Sequence, residues 1–293
     1  MFRGAYTALV TPMKDGRVDD DALSQLVEAQ IAGGIDGLVP CGTTGEASTL
    51  SHAEHVHVVE VVMRVAKGRV PVLAGAGSNS TREAIDLARA CKELGVAGTL
   101  QITPYYNRPS QAGLVRHFKG IADAVPLPMV LYNVPSRTSC DMEPETVAEL
   151  AKHPMIRGIK EATGGMHRAS QIRELVGDDF DLLSGDDFSL LGFLATGGDG
   201  VISVVTNVAP DLMTTLCKAV AAGDLAAAQA ANARQLPLSR LLFADANPVP
   251  AKHALHLMGM CETEVRSPLV ELDADGPLAG ALAAKLRELG YLK

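Results

Sequence analysis

The sequence predicts a (β/α)8 barrel, on three observations. Apolar runs of strand length recur eight times within about 210 residues, each closed by turn residues. Each run is followed by a segment of helical periodicity, and strands that alternate with helices run parallel. No GxGxxG turn follows the first run, which favours a closed barrel over an open doubly wound sheet, the competing arrangement.

In order the runs are "GAYTALVTP" (4–12), "GIDGLVPCG" (34–42), "RVPVLAGAG" (69–77), "VAGTLQITP" (96–104), "LPMVLYNVP" (127–135), "IRGIKEAT" (156–163), "FDLLSGDD" (180–187) and "GVISVVTN" (200–207). Between them, Ser51 with Glu54 and Ser80 with Glu83 read as capping boxes, and Pro144 and Pro210 as first helical positions. After Asp211 the strands stop and Ala/Leu-rich helices take over. The expected division is a catalytic barrel over 1–209 and a C-terminal helical region over 210–293.

With 47% hydrophobic and 20% charged residues, the composition is that of a packed globular chain. A net charge of −8 argues against a nucleic-acid surface or an anionic membrane and favours small-molecule partners. The five cysteines are odd in number and scattered without a CxxC pair, which reads as reduced thiols in a cytoplasmic protein. No basic n-region with an apolar h-region opens the chain, and no apolar run reaches membrane-spanning length, so neither export nor a membrane is expected.

Barrel chemistry sits where strands end. The strand tails offer Thr43, Thr44 and Glu46, then Tyr105 and Tyr106, then Tyr132, Asn133 and Arg137, and finally Lys160, Gly185 and Ile202. Lys160 closes an otherwise apolar run. A buried lysine must find a partner or give up its proton, and a desolvated one is an amine nucleophile that condenses with a carbonyl to form a Schiff base. Dehydration then needs a proton carrier, for which Tyr132 on the neighbouring strand suits, with Thr43 and one of Tyr105 or Tyr106 completing a relay. The "GTTGE" turn offers backbone N–H groups and hydroxyls to a carboxylate, and Arg137 offers a clamp for a second one.

Each feature also has a plainer reading. Lys160 can be a snorkelling strand residue, "GTTGE" a glycine turn, Tyr132 core filler and Arg137 a surface ion pair. "HAEHVH" (His52, His55, His57) lacks the HExxH spacing of a metal site and reads as a solvated first helical turn, as do His253 and His256 as a helix face. No metal site is expected. No GxxxxGK[ST] motif is present for nucleotide phosphates, and no phosphate and pyridine-nitrogen partners for pyridoxal phosphate stand out.

Taken together, "ALVTPM", "CGTTGE", "TPYYNRPSQAG", "LYNVPSRTSCD", "GIKEATG", "LLSGDD" and "GVISV" resemble the dihydrodipicolinate synthase family end to end. That family lies within the wider N-acetylneuraminate lyase and pyruvate-dependent class I aldolase group. The resemblance implies a Schiff-base lyase of lysine and diaminopimelate biosynthesis: pyruvate is held as an imine on Lys160, and Tyr132, Thr43 and Tyr106 move protons. Thr44, Gly185 and Ile202 would then surround the pyruvate, and Arg137 would hold the carboxylate of L-aspartate-4-semialdehyde. It further implies 4-hydroxy-tetrahydrodipicolinate as product, no cofactor beyond the covalent imine, and a homotetramer built from tight dimers. An L-lysine effector site is implied at Ala47, Ser48, His52, His55, Asn79, Glu83 and Tyr105, with Ala47-Ser48 where many members read Ser-Ala. A sugar-acid aldolase and a non-catalytic amino-acid sensor are the alternatives.

Overall fold

The computed structural model describes residues 1–292. Along the chain, β1 (Gly4–Ala8) leads into a hairpin, β2 (Met13–Lys14) and β3 (Arg17–Val18), then α1 (Asp20–Ala32), β4 (Gly37–Val39) and α2 (His52–Ala66). Next come β5 (Leu73–Gly75), α3 (Thr81–Glu93), β6 (Gly98–Ile102), α4 (Gln111–Ala124), β7 (Met129–Asn133), the single turn α5 (Pro135–Thr138) and α6 (Pro144–Ala151). The chain continues through β8 (Ile156–Glu161), α7 (Met166–Val176), β9 (Asp181–Ser184), α8 (Leu190–Ala195) and β10 (Gly200–Ser203). It ends with α9 (Pro210–Ala221), α10 (Leu225–Leu242), α11 (Val249–Leu257) and α12 (Pro277–Leu289).

All eight predicted runs hold a parallel strand, in the order β4-β1-β10-β9-β8-β7-β6-β5. The two ends of that row meet through a parallel bridge between Leu38 and Val72, with Gly75 N–H donating to the Pro40 carbonyl at 2.9 Å. The sheet is therefore closed, which overturns the open doubly wound alternative. Strand alternation sorts the side chains into two layers. Phe2, Tyr6, Val39, Leu73, Leu100, Val130, Tyr132, Leu183 and Ile202 fill the barrel. Met129, Leu131, Ile156, Ile159 and Leu182 face outward into the larger core under the helices.

The hairpin was not anticipated. It turns on Asp15 and Gly16, both at positive φ (53° and 75°), the conformation a tight two-residue turn requires. Ser51 and Glu54 form a complete capping box, and Pro144 and Pro210 open α6 and α9. At α3 only half a box forms: Ser80 accepts the Glu83 N–H, but the Glu83 carboxylate turns to Ser78 and His52. Helix α9 packs on β1 and α8, completing the eighth βα unit, so the expected boundary near Ala209 falls inside that unit. Helices α10, α11 and α12 pack on one another beyond it.

Two histidines depart from the expected solvated faces. His55 is buried, paired with the Gly75 carbonyl at 2.7 Å, and His253 is buried in α11. His52 pairs instead with Glu83 and His57 with Asp20, so the three imidazoles of "HAEHVH" go to three separate partners. No helix among the described residues is long and apolar enough to cross a membrane. All five cysteines are free, four of them buried.

Candidate active site

Strands β7 and β8 set the centre of the site. Their register places Tyr132 opposite Lys160, and both point inward because the pair one step on, Asn133 and Glu161, points outward. Lys160 and Tyr132 are 7% and 6% exposed, and the Lys160 Nζ lies 4.3 Å from the tyrosine ring centroid. That geometry is a cation–π contact, and it replaces the snorkelling reading of Lys160. Gly185, beyond β9, makes room for the lysine: a Cβ there would stand 2.9 Å from Lys160 Cε and 2.6 Å from Ala162 Cβ. Ile202, on β10, is buried in the same interior cluster as Tyr132.

The outward pair is tied down from behind. Asn133 Nδ2 donates to Asp141 (2.8 Å) and Glu161 (3.1 Å), and Arg168 on α7 pairs with both carboxylates. These bonds join the ends of β7 and β8 to the segment that carries Arg137. Beyond Gly185, the Asp187 carboxylate accepts the N–H groups of Val204 and Val205, fixing the turn after β10; burial pushes its pKa up to about 6.

The "CGTTGE" loop after β4 supplies the third wall. Thr43 and Tyr132 share a small cavity of about 50 Å3 with Cys41, Gly42, Gly75, Gly77, Leu100 and Ile102. Thr44 is buried, and its hydroxyl oxygen accepts from Asn247 Nδ2 at 3.0 Å. With that lone pair taken, its own proton is free to donate towards an anion. The Thr43 and Thr44 amides meet no protein acceptor among the described residues.

Thr43 also lines a larger cavity, of about 390 Å3. Its walls bring together Ala47, Ser48, His52, His55, Glu83, Tyr105 and Arg137. Glu83 is held below the usual carboxylate range chiefly by the Ser78 hydroxyl and then by His52. Burial lowers the His55 pKa; the neutral ring donates from Nε2 to the Gly75 carbonyl. Asn79 does not line the cavity but donates to the Tyr105 carbonyl at 3.2 Å from behind it. Arg137 is exposed and forms no ion pair among the described residues, unlike the plainer reading of it.

One predicted relay member stands apart. Tyr106 is 92% exposed at φ 72° and lines neither the cavity shared by Thr43 and Tyr132 nor the larger one, while Tyr105 lines the larger cavity. Sequence reading missed Asn247, Ser78, Lys252 and Arg168. Lys252 carried the signal used for Lys160, a lysine inside an apolar run, in "PVPAKHALHL".

Residues 1–285 match the model of the Dihydrodipicolinate synthetase family. A 4-hydroxy-tetrahydrodipicolinate synthase of Maridesulfovibrio salexigens is 51% identical over 97% of this chain and 96% of its own. A chloride-inhibited dihydrodipicolinate synthase of Acinetobacter baumannii, solved with pyruvate, superposes with TM-score 0.97 at 43% identity, over 100% of both chains. A dihydrodipicolinate synthase of Cyanidioschyzon merolae, solved with lysine bound, superposes with TM-score 0.96 at 39% identity, over 99% of both chains. Fold, mouth residues and full-length likeness agree, and the chain belongs to the dihydrodipicolinate synthetase family.

Proposed function

We propose that the chain is a 4-hydroxy-tetrahydrodipicolinate synthase, joining pyruvate, bound as an imine on Lys160, to L-aspartate-4-semialdehyde. The observation that carries this reading is the buried Lys160 amine stacked against Tyr132, which in turn shares a small cavity with Thr43. The amine adds to the pyruvate carbonyl and water leaves as the iminium forms, its positive nitrogen acting as electron sink. Loss of a methyl proton gives the enamine, whose carbon attacks the aldehyde of the second substrate. The amino group of that substrate then displaces Lys160 from the imine carbon, closing the ring and restoring the free amine.

Protons move through Tyr132 and Thr43, with Tyr106 supplied by a neighbouring copy of the chain; its outward, 92% exposed position supports that assignment. Free amides and the Thr44 hydroxyl receive the pyruvate carboxylate. Gly185 and Ile202 shape the pocket, and the unpaired Arg137 receives the carboxylate of the semialdehyde. The imine nitrogen supplies the electron sink, so the reaction calls for no added cofactor. The free thiols fit a cytoplasmic enzyme, and the outward, exposed Tyr106 fits the expected homotetramer.

L-Lysine is the proposed occupant of the cavity around Glu83, His52, His55 and Tyr105, supported by the anionic Glu83 and by the lysine-bound relative. Borohydride reduction in the presence of pyruvate tests the central reading. The expected result is one adduct, mapped by mass spectrometry to Lys160; an adduct elsewhere, or none, would overturn it. Turnover with sugar-acid aldehydes in preference to the semialdehyde would return the alternative aldolase.

A further inference from the structure

Helix α11 and the segment after it reach back across the molecule to the "CGTTGE" loop. Lys252 is fully buried, with its ammonium 2.5 Å from Glu46 Oε1 and donating to the Glu264 carbonyl at 2.7 Å. The second Glu46 oxygen accepts the Arg266 N–H at 2.9 Å, and the Arg266 side chain holds the Thr49 carbonyl and Glu54. Glu46 itself stands at φ 55°, a left-handed conformation that disfavours a residue with a Cβ. Its loop neighbours are held too: Thr44 by Asn247, and Gly45 through its carbonyl by the Thr11 hydroxyl at 2.7 Å.

A buried ion pair is a poor device for stability, because the cost of desolvating both charges offsets most of their attraction. A hydrophobic pair of like volume would hold the helix to the loop as well. What the ion pair adds is direction: it fixes one carboxylate, and with it the backbone of the loop, at a single orientation. Through Glu46, Lys252 is thereby tied to the loop that carries Thr43 and Thr44, and Thr43 shares a cavity with Tyr132, the residue stacked on Lys160.

We propose that Lys252 is a positioning residue for the keto-acid substrate, acting through Glu46 to aim the Thr43 and Thr44 donors at the carboxylate of the imine-bound molecule. This rests on the function proposed above.

The test compares the wild type with Lys252→Met/Glu46→Leu, which replaces the pair by apolar side chains, and with Lys252→Gln, whose shorter, neutral side chain removes the ammonium from Glu46. Melting temperature, separate KM values for pyruvate and semialdehyde, and borohydride trapping are measured on each folded protein. The double variant is expected to melt within a few degrees of wild type, since no buried charge is left alone. Its KM for pyruvate is expected to rise about tenfold from misdirected donors, with the semialdehyde KM within about twofold. Lys252→Gln should show the same split, so the inference stands on either variant if one fails to fold. A wild-type pyruvate KM in a folded variant, or an equal rise for both substrates, overturns it. Absence of an adduct in the wild type instead overturns the function itself, and this inference with it.

Discussion

At Gly185 a single hydrogen decides whether Lys160 can lie where it does. A Cβ there would meet Lys160 Cε at 2.9 Å and Ala162 Cβ at 2.6 Å, both closer than real contacts allow. Gly185→Ala is therefore expected to displace the lysine and slow imine formation more than tenfold, measured as the rate of borohydride-trappable adduct, and the clash with the fixed Ala162 Cβ should also lower the melting temperature. Tyr132 faces a different demand, because it must both stack on the amine and carry a proton. Tyr132→Phe keeps the ring and removes the hydroxyl, so kcat should fall about 10²-fold or more while pyruvate still forms an adduct. Loss of the adduct as well would assign the hydroxyl to binding rather than to proton transfer.

Elements place these groups through bonds on the far side of the strands. Asn133 and Glu161 face the helices, and Arg168 on α7 ties Glu161 to Asp141. That tie anchors the segment bearing Arg137 to the end of β8. Arg168→Ala leaves Glu161 buried with only Asn133 and the Thr163 N–H as partners, and should loosen the Arg137 segment. The expected outcome is a semialdehyde KM raised several-fold with the pyruvate KM nearly unchanged, the reverse of the Lys252 variants. Helix α2 depends on a local device: Ser51 caps it reciprocally with Glu54. Ser51→Ala should cost about 1 kcal/mol in urea unfolding, the usual worth of such a cap.

Over the whole molecule, assembly and acid stability are the quantities to measure. The chain has no tryptophan, so Tyr106→Trp installs a single tryptophan, selectively excited at wavelengths beyond tyrosine absorption, at its most exposed tyrosine position. In an oligomer whose neighbour covers that position, emission should be blue-shifted and should move red on dilution. A red, concentration-independent spectrum would show that no neighbour covers it. Glu54 links the capping box to the C-terminal segment through Arg266, whose hydrogen bonds, with the Ser51 N–H, bring its carboxyl down to about 2. A lowered carboxyl stabilises the fold above its ordinary value near 4.5 and loses that contribution as pH falls towards 2. Wild type should thus exceed Glu54→Gln in stability at pH 7, and the gap in unfolding midpoint should close between pH 4.5 and 2.

By itself the sequence determined the barrel strands, the capped start of α2 and the proline-opened starts of α6 and α9, and it singled out Lys160, Tyr132 and Thr43 as candidates. These were legible because local chemistry writes them: apolar runs closed by turns, caps at fixed spacing, and a lysine where a strand should be apolar. The hairpin had its signal too, an Asp-Gly turn, but strands of two residues are too short to show alternation. Only the tertiary structure decided the rest. Closure rests on one bridge between strands joined through the far ends of the row, which no local pattern encodes. The partners of Glu83, His55 and Thr44 lie outside their own helices and turns, so a capping box read at Ser80 opens into a cavity wall instead. Lys252 and Glu46 are 206 residues apart by their numbers, and nothing near either names the other; only the fold, by bringing α11 under the loop, turns two buried charges into one contact.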